Sequence, residues 1–284
     1  MRIALISDIH ANIAALEAVL AGIKRHAPDM ILSLGDQVNL GPNPRETMQM
    51  LREHRVKCLH GNHERYILSV MAGDPAYEGA NFNCLRFQKG LLTAEEITHP
   101  KTLEMEGVTF CHAMPEDDRF PVYDVRQATP LLRVMDSETP RHIICGHGHN
   151  PVHYQVGNIR VDCIGSVGCM DEGIAGAAPF TILDMERGAV SLQPFYVPYD
   201  RRGIREQFIK SGMVAFCPIM AHISFLQMTR NRDYLMGFVA LAREISQSRG
   251  EVLVSEESWQ EADARFQWPD GMRTTEFWAS KITF

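Results

Sequence analysis

The sequence predicts an α/β protein, a four-layer α/β/β/α sandwich of two mixed sheets flanked by helices, with a helical extension at the C-terminus. Three observations support this class. Apolar strand patterns alternate with amphipathic helix patterns in the first half of the chain, short alternating strands follow, and helical patterns return near the end. We therefore expect one domain over residues 1–198 and a Trp-rich helical extension over residues 199–284.

Five short apolar runs each end in side chains of the kinds that bind metal ions. Residues 3–6 precede Asp8 and His10, residues 30–34 precede Asp36, residues 56–59 precede Asn62 and His63, residues 108–111 precede His112, and residues 142–145 precede His147 and His149. In open α/β sheets, ligands gather beyond the carboxyl ends of the strands. If these strands share a sheet, all five loops meet at one place.

Helix signals lie between these strands. Asn12 is placed to cap a helix over residues 13–25, whose apolar residues fall on one face. Pro44 suits the first turn of a second helix, and further helical patterns begin at Arg65 and Arg126. Strand, helix and strand in this spacing predict right-handed parallel crossovers.

The second half of the chain changes character. A meander of short alternating strands is expected at residues 152–156, 158–163, 180–185 and 189–196, with Gly157 and Gly188 in hairpin turns. Amphipathic helices are expected over residues 200–212 and 233–250. All three tryptophans lie after residue 258. This tail completes the core, forms a homo-oligomer interface, or narrows an active site as a lid.

Composition excludes several classes of protein. A net charge of -7 over 284 residues gives no basic surface for a stable nucleic-acid partner. The seven cysteines are odd in number and form no Cys-x-x-Cys pair, which argues against a disulfide framework and indicates a cytoplasmic protein. The apolar stretches are too short or too interrupted for a signal peptide or a membrane span.

The candidate ligands are carboxylates, one amide and imidazoles, without thiolates. This donor set favours divalent first-row metals, and it does not distinguish manganese, iron, cobalt, nickel and zinc. Seven ligands exceed the need of one tetrahedral ion, so two ions are expected. The predicted metal ligands are Asp8, His10, Asp36, Asn62, His112, His147 and His149.

Taken in order, these motifs resemble the calcineurin-like metallophosphoesterase superfamily. They are Asp-x-His at 8–10, Gly-Asp at 35–36, Gly-Asn-His-Glu at 61–64, the lone His112, and Gly-His-Gly-His at 146–149. Gly-Ser-Val-Gly at 165–168 and Val-Pro-Tyr-Asp at 197–200 are similar to stretches of the bacterial and archaeal phosphodiesterase branch. The resemblance covers about residues 1–212.

The resemblance implies a role for each motif. Asp36 would bridge two ions, one also held by Asp8, His10 and His149, the other by Asn62, His112 and His147. His63 would be the general acid in hydrolysis by a metal-activated hydroxide, with Glu64 supporting its orientation. The implied substrate is a phosphodiester of a small molecule or nucleotide, and substrate-binding residues remain unassigned.

Two other functions compete with this one. A protein Ser/Thr phosphatase usually extends Gly-Asp with Asp-Arg-Gly, whereas this chain has Asn39-Leu40-Gly41, and the missing arginine weakens phosphomonoester binding. A non-catalytic scaffold of the same fold should have lost ligands, and none is missing here. Turn chemistry is sufficient to explain Asn39, with substrate contact as the alternative.

Overall fold

The computed structural model describes residues 1–136, 138–139, 141–186 and 189–280. The described strands are β1 (Arg2–Ile6), β2 (Met30–Ser33), β3 (Lys57–Cys58), β4 (Thr102–Met105), β5 (Val108–Cys111), β6 (Arg141–Cys145), β7 (Val152–Val156), β8 (Ile159–Cys163), β9 (Ala177–Glu186) and β10 (Ala189–Pro198). The described α-helices are α1 (Ile13–Ile23), α2 (Pro44–Glu53), α3 (Asn62–Met71), α4 (Asn83–Lys89), α5 (Ala94–Ile97), α6 (Val125–Met135), α7 (Ile204–Lys210), α8 (Met213–Phe216), α9 (Pro218–Arg230), α10 (Leu235–Ser248), α11 (Glu256–Arg265) and α12 (Thr274–Ala279).

The strands form two mixed sheets of five. The first has the order β10-β9-β1-β2-β3 and the second the order β4-β5-β6-β8-β7. Strands β1, β2 and β3 are parallel, as are β5, β6 and β8, whereas β4, β7, β9 and β10 pair antiparallel. Apolar side chains such as Leu5 and Phe110 fill the space between the sheets. Since helices pack on both outer faces, the predicted four-layer sandwich with C-terminal helices is confirmed.

The strands that precede the candidate ligands do not all belong to one sheet, although a single sheet was the arrangement from which convergence of the five loops was predicted. Strands β1, β2 and β3 belong to the first sheet, and β5 and β6 to the second. Their loops still converge, because the carboxyl ends of both parallel sets lie at the same edge of the stacked sheets. His112 Nδ1, just after β5, lies 3.0 Å from the carbonyl oxygen of Leu34, just after β2.

Local signals placed most N-terminal helices correctly. The side chain of Asn12 caps α1 by accepting a hydrogen bond from the backbone N–H of Ala15 at 3.2 Å. The third helix, however, begins at Asn62 and not at Arg65. The reason is Glu64, whose carboxylate accepts the backbone N–H of Gly61 at 2.9 Å and so completes the first helical turn.

Several elements were not predicted individually, among them β4 and α9, and one grouping was wrong. Strand β4 lies at the edge of the second sheet and, among the described strands, pairs with β5 alone. Helix α9 carries no polar face, because every residue from 219 to 229 is buried. Strands β9 and β10 do not form a separate meander with β7 and β8; they join the first sheet beside β1. The turn predicted at Gly188 lies outside the described residues.

The C-terminal helices pack on the first sheet's outer layer. Helix α9 contacts α4, and Phe225 of α9 belongs to the same apolar cluster as Leu16 of α1 and Leu85 of α4. Trp259 is fully buried. The boundary between residues 198 and 199 remains a prediction, and residues 281–284 of the predicted extension lie outside the described part of the chain. No helix in the described ranges is long and apolar enough to span a bilayer.

Candidate metal centre

The eight predicted site residues come together at one edge of the sandwich. Each follows the carboxyl end of a strand from one of the two sheets, and together they are Asp8, His10, Asp36, Asn62, His63, His112, His147 and His149. All are buried or half-buried. The structure therefore assembles residues that are more than a hundred positions apart in the chain.

One group of side chains surrounds a first position. His10 Nε2 lies 3.1 Å from His149 Nε2 and 3.9 Å from Asp36 Oδ2. The carboxylate of Asp8 completes the group, with Oδ1 at 4.0 Å from His10 Nε2 and 3.7 Å from His149 Nε2. Two carboxylates and two imidazoles thus face one another.

A second group lies on the other side of Asp36. His112 Nε2 lies 3.2 Å from Asp36 Oδ2 and 2.9 Å from Asn62 Oδ1. His147 joins them, since ligand atoms of Asp36, His112 and His147 all lie within 4.8 Å of one another. The carboxylate of Asp36 is therefore common to both groups.

Electrostatics of the two groups are strongly coupled. Burial opposes ionisation of Asp36, yet His112, His63 and His10 outweigh burial and hold its pKa well below the usual range. Burial and the neighbouring His112 lower the pKa of His147 to about 3. Burial likewise lowers the pKa of His10 well below its usual value. His10 and His147 are therefore neutral beside an ionised Asp36, and these are the forms in which imidazole and carboxylate bind metal ions.

The residues present fit a divalent cation. Asp8 Oδ1 is buried and has no hydrogen-bond partner among the described residues. A buried acceptor in this condition is costly unless a cation or donor satisfies it. Because oxygen and nitrogen acceptors converge on it from several loops, a metal ion fits this arrangement better than a water molecule alone.

The backbone is strained where it presents these side chains. Five of the predicted ligands have positive φ angles: Asp8 (51°), His10 (50°), Asp36 (54°), His147 (64°) and His149 (53°). Residues other than glycine rarely adopt this region, and such strain concentrates at functional sites. Packing of the surrounding loops therefore holds these side chains in directions that an extended strand would not give them.

Two glycines make room for the centre. A Cβ on Gly61 would collide with the carboxylate of Asp36, and Gly35, with φ at +110°, would place a Cβ 2.6 Å from His112 Nδ1. Both positions precede predicted ligands directly. The motifs Gly-Asp and Gly-Asn-His therefore need glycine for space as well as for the turn.

Glu64 has a different role from the one the resemblance implied. Its carboxylate does not contact the imidazole of His63; it accepts the backbone N–H groups of Asp36 at 3.0 Å and Gln37 at 2.8 Å, as well as that of Gly61. Burial raises the pKa of Glu64 to about 7. Glu64 thus fixes the loop that presents Asp36.

Asn39 contacts the predicted general acid. Its Nδ2 lies 2.5 Å from His63 Nδ1, and His63 Nε2 lies 3.8 Å from Asp36 Oδ2. With the amide as donor, the proton of a neutral His63 is on Nε2, the nitrogen that faces the centre. Turn chemistry therefore does not account for all of what Asn39 does.

Sequence reasoning missed two residues at the centre. Asp171 Oδ1 lies 3.0 Å from His149 Nδ1. Burial lowers the pKa of His149, but the carboxylates of Asp171 and Asp8 outweigh burial and raise this pKa to about 9. Cys169 lies close enough to His10 and His149 to form a third group, but burial raises its thiol pKa. Neither residue is in one of the five motifs, although Cys169 directly follows Gly-Ser-Val-Gly and Asp171 comes two residues later.

A cleft of about 360 Å³ opens in front of the centre. Arg119, Tyr66 and Tyr123 lie on one part of its wall, and residues of α9 and α10 lie on another. The guanidinium of Arg119 has no ion-pair partner in the described part of the chain. An unpaired cation and aromatic rings beside a metal centre suit an anionic organic substrate.

Comparison with known sequences identifies related proteins. A family model described as calcineurin-like phosphoesterase matches residues 1–169. An uncharacterized protein of Methanocaldococcus jannaschii is 44% identical over 233 residues, which are 74% of this chain and 93% of that protein.

Comparison with solved structures supports the same fold. A metallophosphoesterase from Sphaerobacter thermophilus has a TM-score of 0.59 and 24% identity, over 75% of this chain and 95% of its own. A hypothetical protein from Pyrococcus horikoshii has a TM-score of 0.61 and 19% identity, over 82% of this chain and 99% of its own. At these identities the likeness concerns the fold.

Proposed function

The chain belongs to the calcineurin-like phosphoesterase family, and from that premise we propose that it is a dinuclear metal-dependent phosphodiesterase acting on a small molecule or nucleotide. One observation carries the proposal. Asp36 Oδ2 lies 3.9 Å from His10 Nε2 and 3.2 Å from His112 Nε2, so a single carboxylate faces both groups of candidate ligands.

We assign the two ions to the two groups described above. Asp8, His10, Asp36 and His149 would hold one ion, and Asp36, Asn62, His112 and His147 the other. When bound, such ions supply positive charge for the phosphoryl oxygens and a water molecule of lowered pKa as the nucleophile.

His63 would donate a proton to the departing oxygen. Its side chain lines the cleft, and Asn39 keeps the proton on Nε2 in the neutral form. General acid assistance of this kind accelerates reactions by roughly 10² to 10⁴. Arg119, which also lines the cleft, would pair with an anionic oxygen of the substrate, a contact for which its guanidinium is free.

One further feature supports a small diester over a phosphoprotein as the substrate, and another supports the cytosol as the location. The cleft is walled by the C-terminal helices, which leaves less room for a folded protein. All seven cysteines are free thiols, as expected in a reducing compartment.

The test is a hydrolysis assay on metal-depleted protein, with manganese, iron, cobalt, nickel or zinc added back. We expect hydrolysis of bis(p-nitrophenyl) phosphate to exceed that of p-nitrophenyl phosphate. His63→Ala should slow turnover by roughly 10² to 10⁴ while the metal content stays unchanged.

His54→Ala, at the end of α2, is the matched control and should behave as wild type. Loss of bound metal in His63→Ala would indicate that His63 is a metal ligand and not the general acid. A metal-loaded protein without turnover on either ester would favour the scaffold.

A further inference from the structure

The C-terminal extension contributes directly to the cleft in front of the metal centre. Gln227 of α9, Asp233 just before α10, and Leu235 and Met236 at the start of α10 line the cleft together with Asp36 and His63. These residues lie outside the region matched by the family model, residues 1–169. The C-terminal extension therefore supplies part of the cleft wall beyond the region that the family model covers.

Gln227 is the polar side chain of this wall that lacks an explanation. It is only 2% exposed, and its Oε1 is buried without a hydrogen-bond partner among the described residues. A buried amide without a partner is destabilising. Leucine at this position would remove that penalty, so the amide of Gln227 points to a ligand in the cleft.

Apolar and aromatic side chains form another part of the wall. Tyr66 and Tyr123 lie near the centre, with ring centroids 5.4 Å from that of His63 and 5.9 Å from that of His147, respectively. Met236 is 66% exposed although it is a large apolar residue. Exposed apolar side chains gathered around a cleft are typical of sites for flat organic groups.

The extension is held in place at the centre by backbone hydrogen bonds. The N–H of Asp233 donates to the carbonyl oxygen of Asp171 at 3.0 Å, and the N–H of Gly173 donates to that of Asn231 at 2.9 Å. Asp171 in turn contacts His149. The wall therefore has a fixed position relative to the candidate metal ligands.

We propose that α9 and α10 form a subsite for a heteroaromatic group of the diester, with Gln227 hydrogen-bonding to the edge of that group. Tyr66, Tyr123 and Met236 would contact its faces. The substrate class is then a phosphodiester that carries a nucleoside or a similar ring system. This inference rests on the proposed function.

A pair of substrates with one leaving group tests the subsite. Thymidine 5′-(p-nitrophenyl phosphate) and methyl p-nitrophenyl phosphate differ only in the retained group. For wild type we expect kcat/KM to be higher for the thymidine ester by about tenfold, the scale of one base stacked on aromatic side chains. Gln227→Leu and Met236→Asp should each reduce this ratio by about fivefold, the scale of one lost contact.

Matched controls are Gln260→Leu on α11 and Val252→Asp, both at exposed positions that do not line the cleft, and they should keep the wild-type ratio. If Gln227→Leu does not fold, Met236→Asp decides, because an exposed position tolerates a charge. A second readout needs no turnover: calorimetry of thymidine 5′-monophosphate and of inorganic phosphate binding to the metal-loaded protein. The ratio of the two affinities should fall in Gln227→Leu.

The outcomes separate the two proposals. Hydrolysis of both esters with equal kcat/KM, unchanged in the variants, would overturn the subsite and leave the phosphodiesterase proposal standing. No hydrolysis of either ester with any ion, together with preferential binding of thymidine monophosphate that depends on Gln227, would overturn the catalytic proposal and support the subsite.

Discussion

The metal centre and the C-terminal extension are built on opposite principles. The centre gathers buried polar side chains on strained loops, with positive φ angles at residues such as Asp8 and Asp36. The extension gathers apolar and aromatic side chains on regular helices, with Phe238 and Phe277 fully buried. The arrangement of the centre therefore serves reactivity and lowers the stability of the fold, whereas burial of apolar side chains in the extension raises it. The extension also forms part of the cleft wall.

The largest expected effect comes from removing the carboxylate shared by both ligand groups. Asp36→Asn should lower activity by about 10³-fold or more and reduce bound metal, since it deletes the charge that faces both groups. Metal content by mass spectrometry and turnover of bis(p-nitrophenyl) phosphate measure this. Asp200→Asn, an exposed carboxylate, is the control.

Substitution of the neighbouring predicted ligand Asp8 tests the contrast itself. In chelator, Asp8→Asn should be at least as stable as wild type, because burial raises the pKa of Asp8 and so disfavours its charged form when no cation is bound. A large fall in the free energy of unfolding of the metal-free variant would contradict the idea that this region is built for reactivity.

The next effect concerns the extension. Phe238→Ala should lower the free energy of unfolding by about 3 to 5 kcal/mol, the usual result for a fully buried phenylalanine. Its ring contacts those of Trp259 at 4.8 Å and Phe266 at 5.2 Å between centroids. Urea denaturation measures the change, with Val252→Ala at a position 98% exposed as control. A variant as stable as the control would show that the extension does not contribute to the core.

A smaller effect is expected where the two regions meet. Asp171→Asn should weaken metal binding by about 10- to 100-fold, because a group that orients a ligand histidine is lost. Competition with a metal chelator measures the affinity. Asparagine retains the backbone hydrogen bond with Asp233, so the metal-free variant should be as stable as metal-free wild type. A lower free energy of unfolding in chelator, large enough to account for the weaker metal binding, would indicate a structural role instead.

The smallest effect is a pH dependence inside the extension. His222 is fully buried between the rings of Trp268 and Phe277, at 4.1 and 4.0 Å between centroids, and burial lowers its pKa to about 3. The unfolded chain therefore binds a proton below about pH 6.5 that the folded chain does not. Stability from this group is present above pH 6.5 and declines as the pH falls, by about 1.4 kcal/mol at pH 5.5.

Denaturation at pH 8 and pH 5.5 measures this loss in wild type. His222→Phe should abolish that part of the difference, since phenylalanine does not titrate. An unchanged difference in the variant would assign the pH dependence to other groups.

The sequence was informative about the centre because every candidate ligand follows the end of a strand within a few residues. Asp36 needs only the strand before it and Gly35 to be placed at the sheet edge. What could not be predicted depends on contacts distant in the chain. Asp171 was missed because its partner His149 is 22 residues away, and nothing local marks it.

The extension resisted prediction for the opposite reason. Helix α9 is buried on all sides, so it lacks the polar face that reveals a helix in a sequence. Gln227 cannot be recognised as unusual until its burial and the cleft beside it are known. The arrangement of β9 and β10 beside β1 is likewise a matter of long-range pairing.

The split of the ligands between two sheets has a consequence for how the protein matures. His10 and His149 are 139 positions apart, yet their imidazoles lie 3.1 Å from each other. No early fragment of the nascent chain can present both groups, since that contact forms only after both sheets have stacked. Metal binding should therefore follow the stacking of the two sheets during folding. A tightly bound ion would then be found only in chains in which the sandwich has assembled.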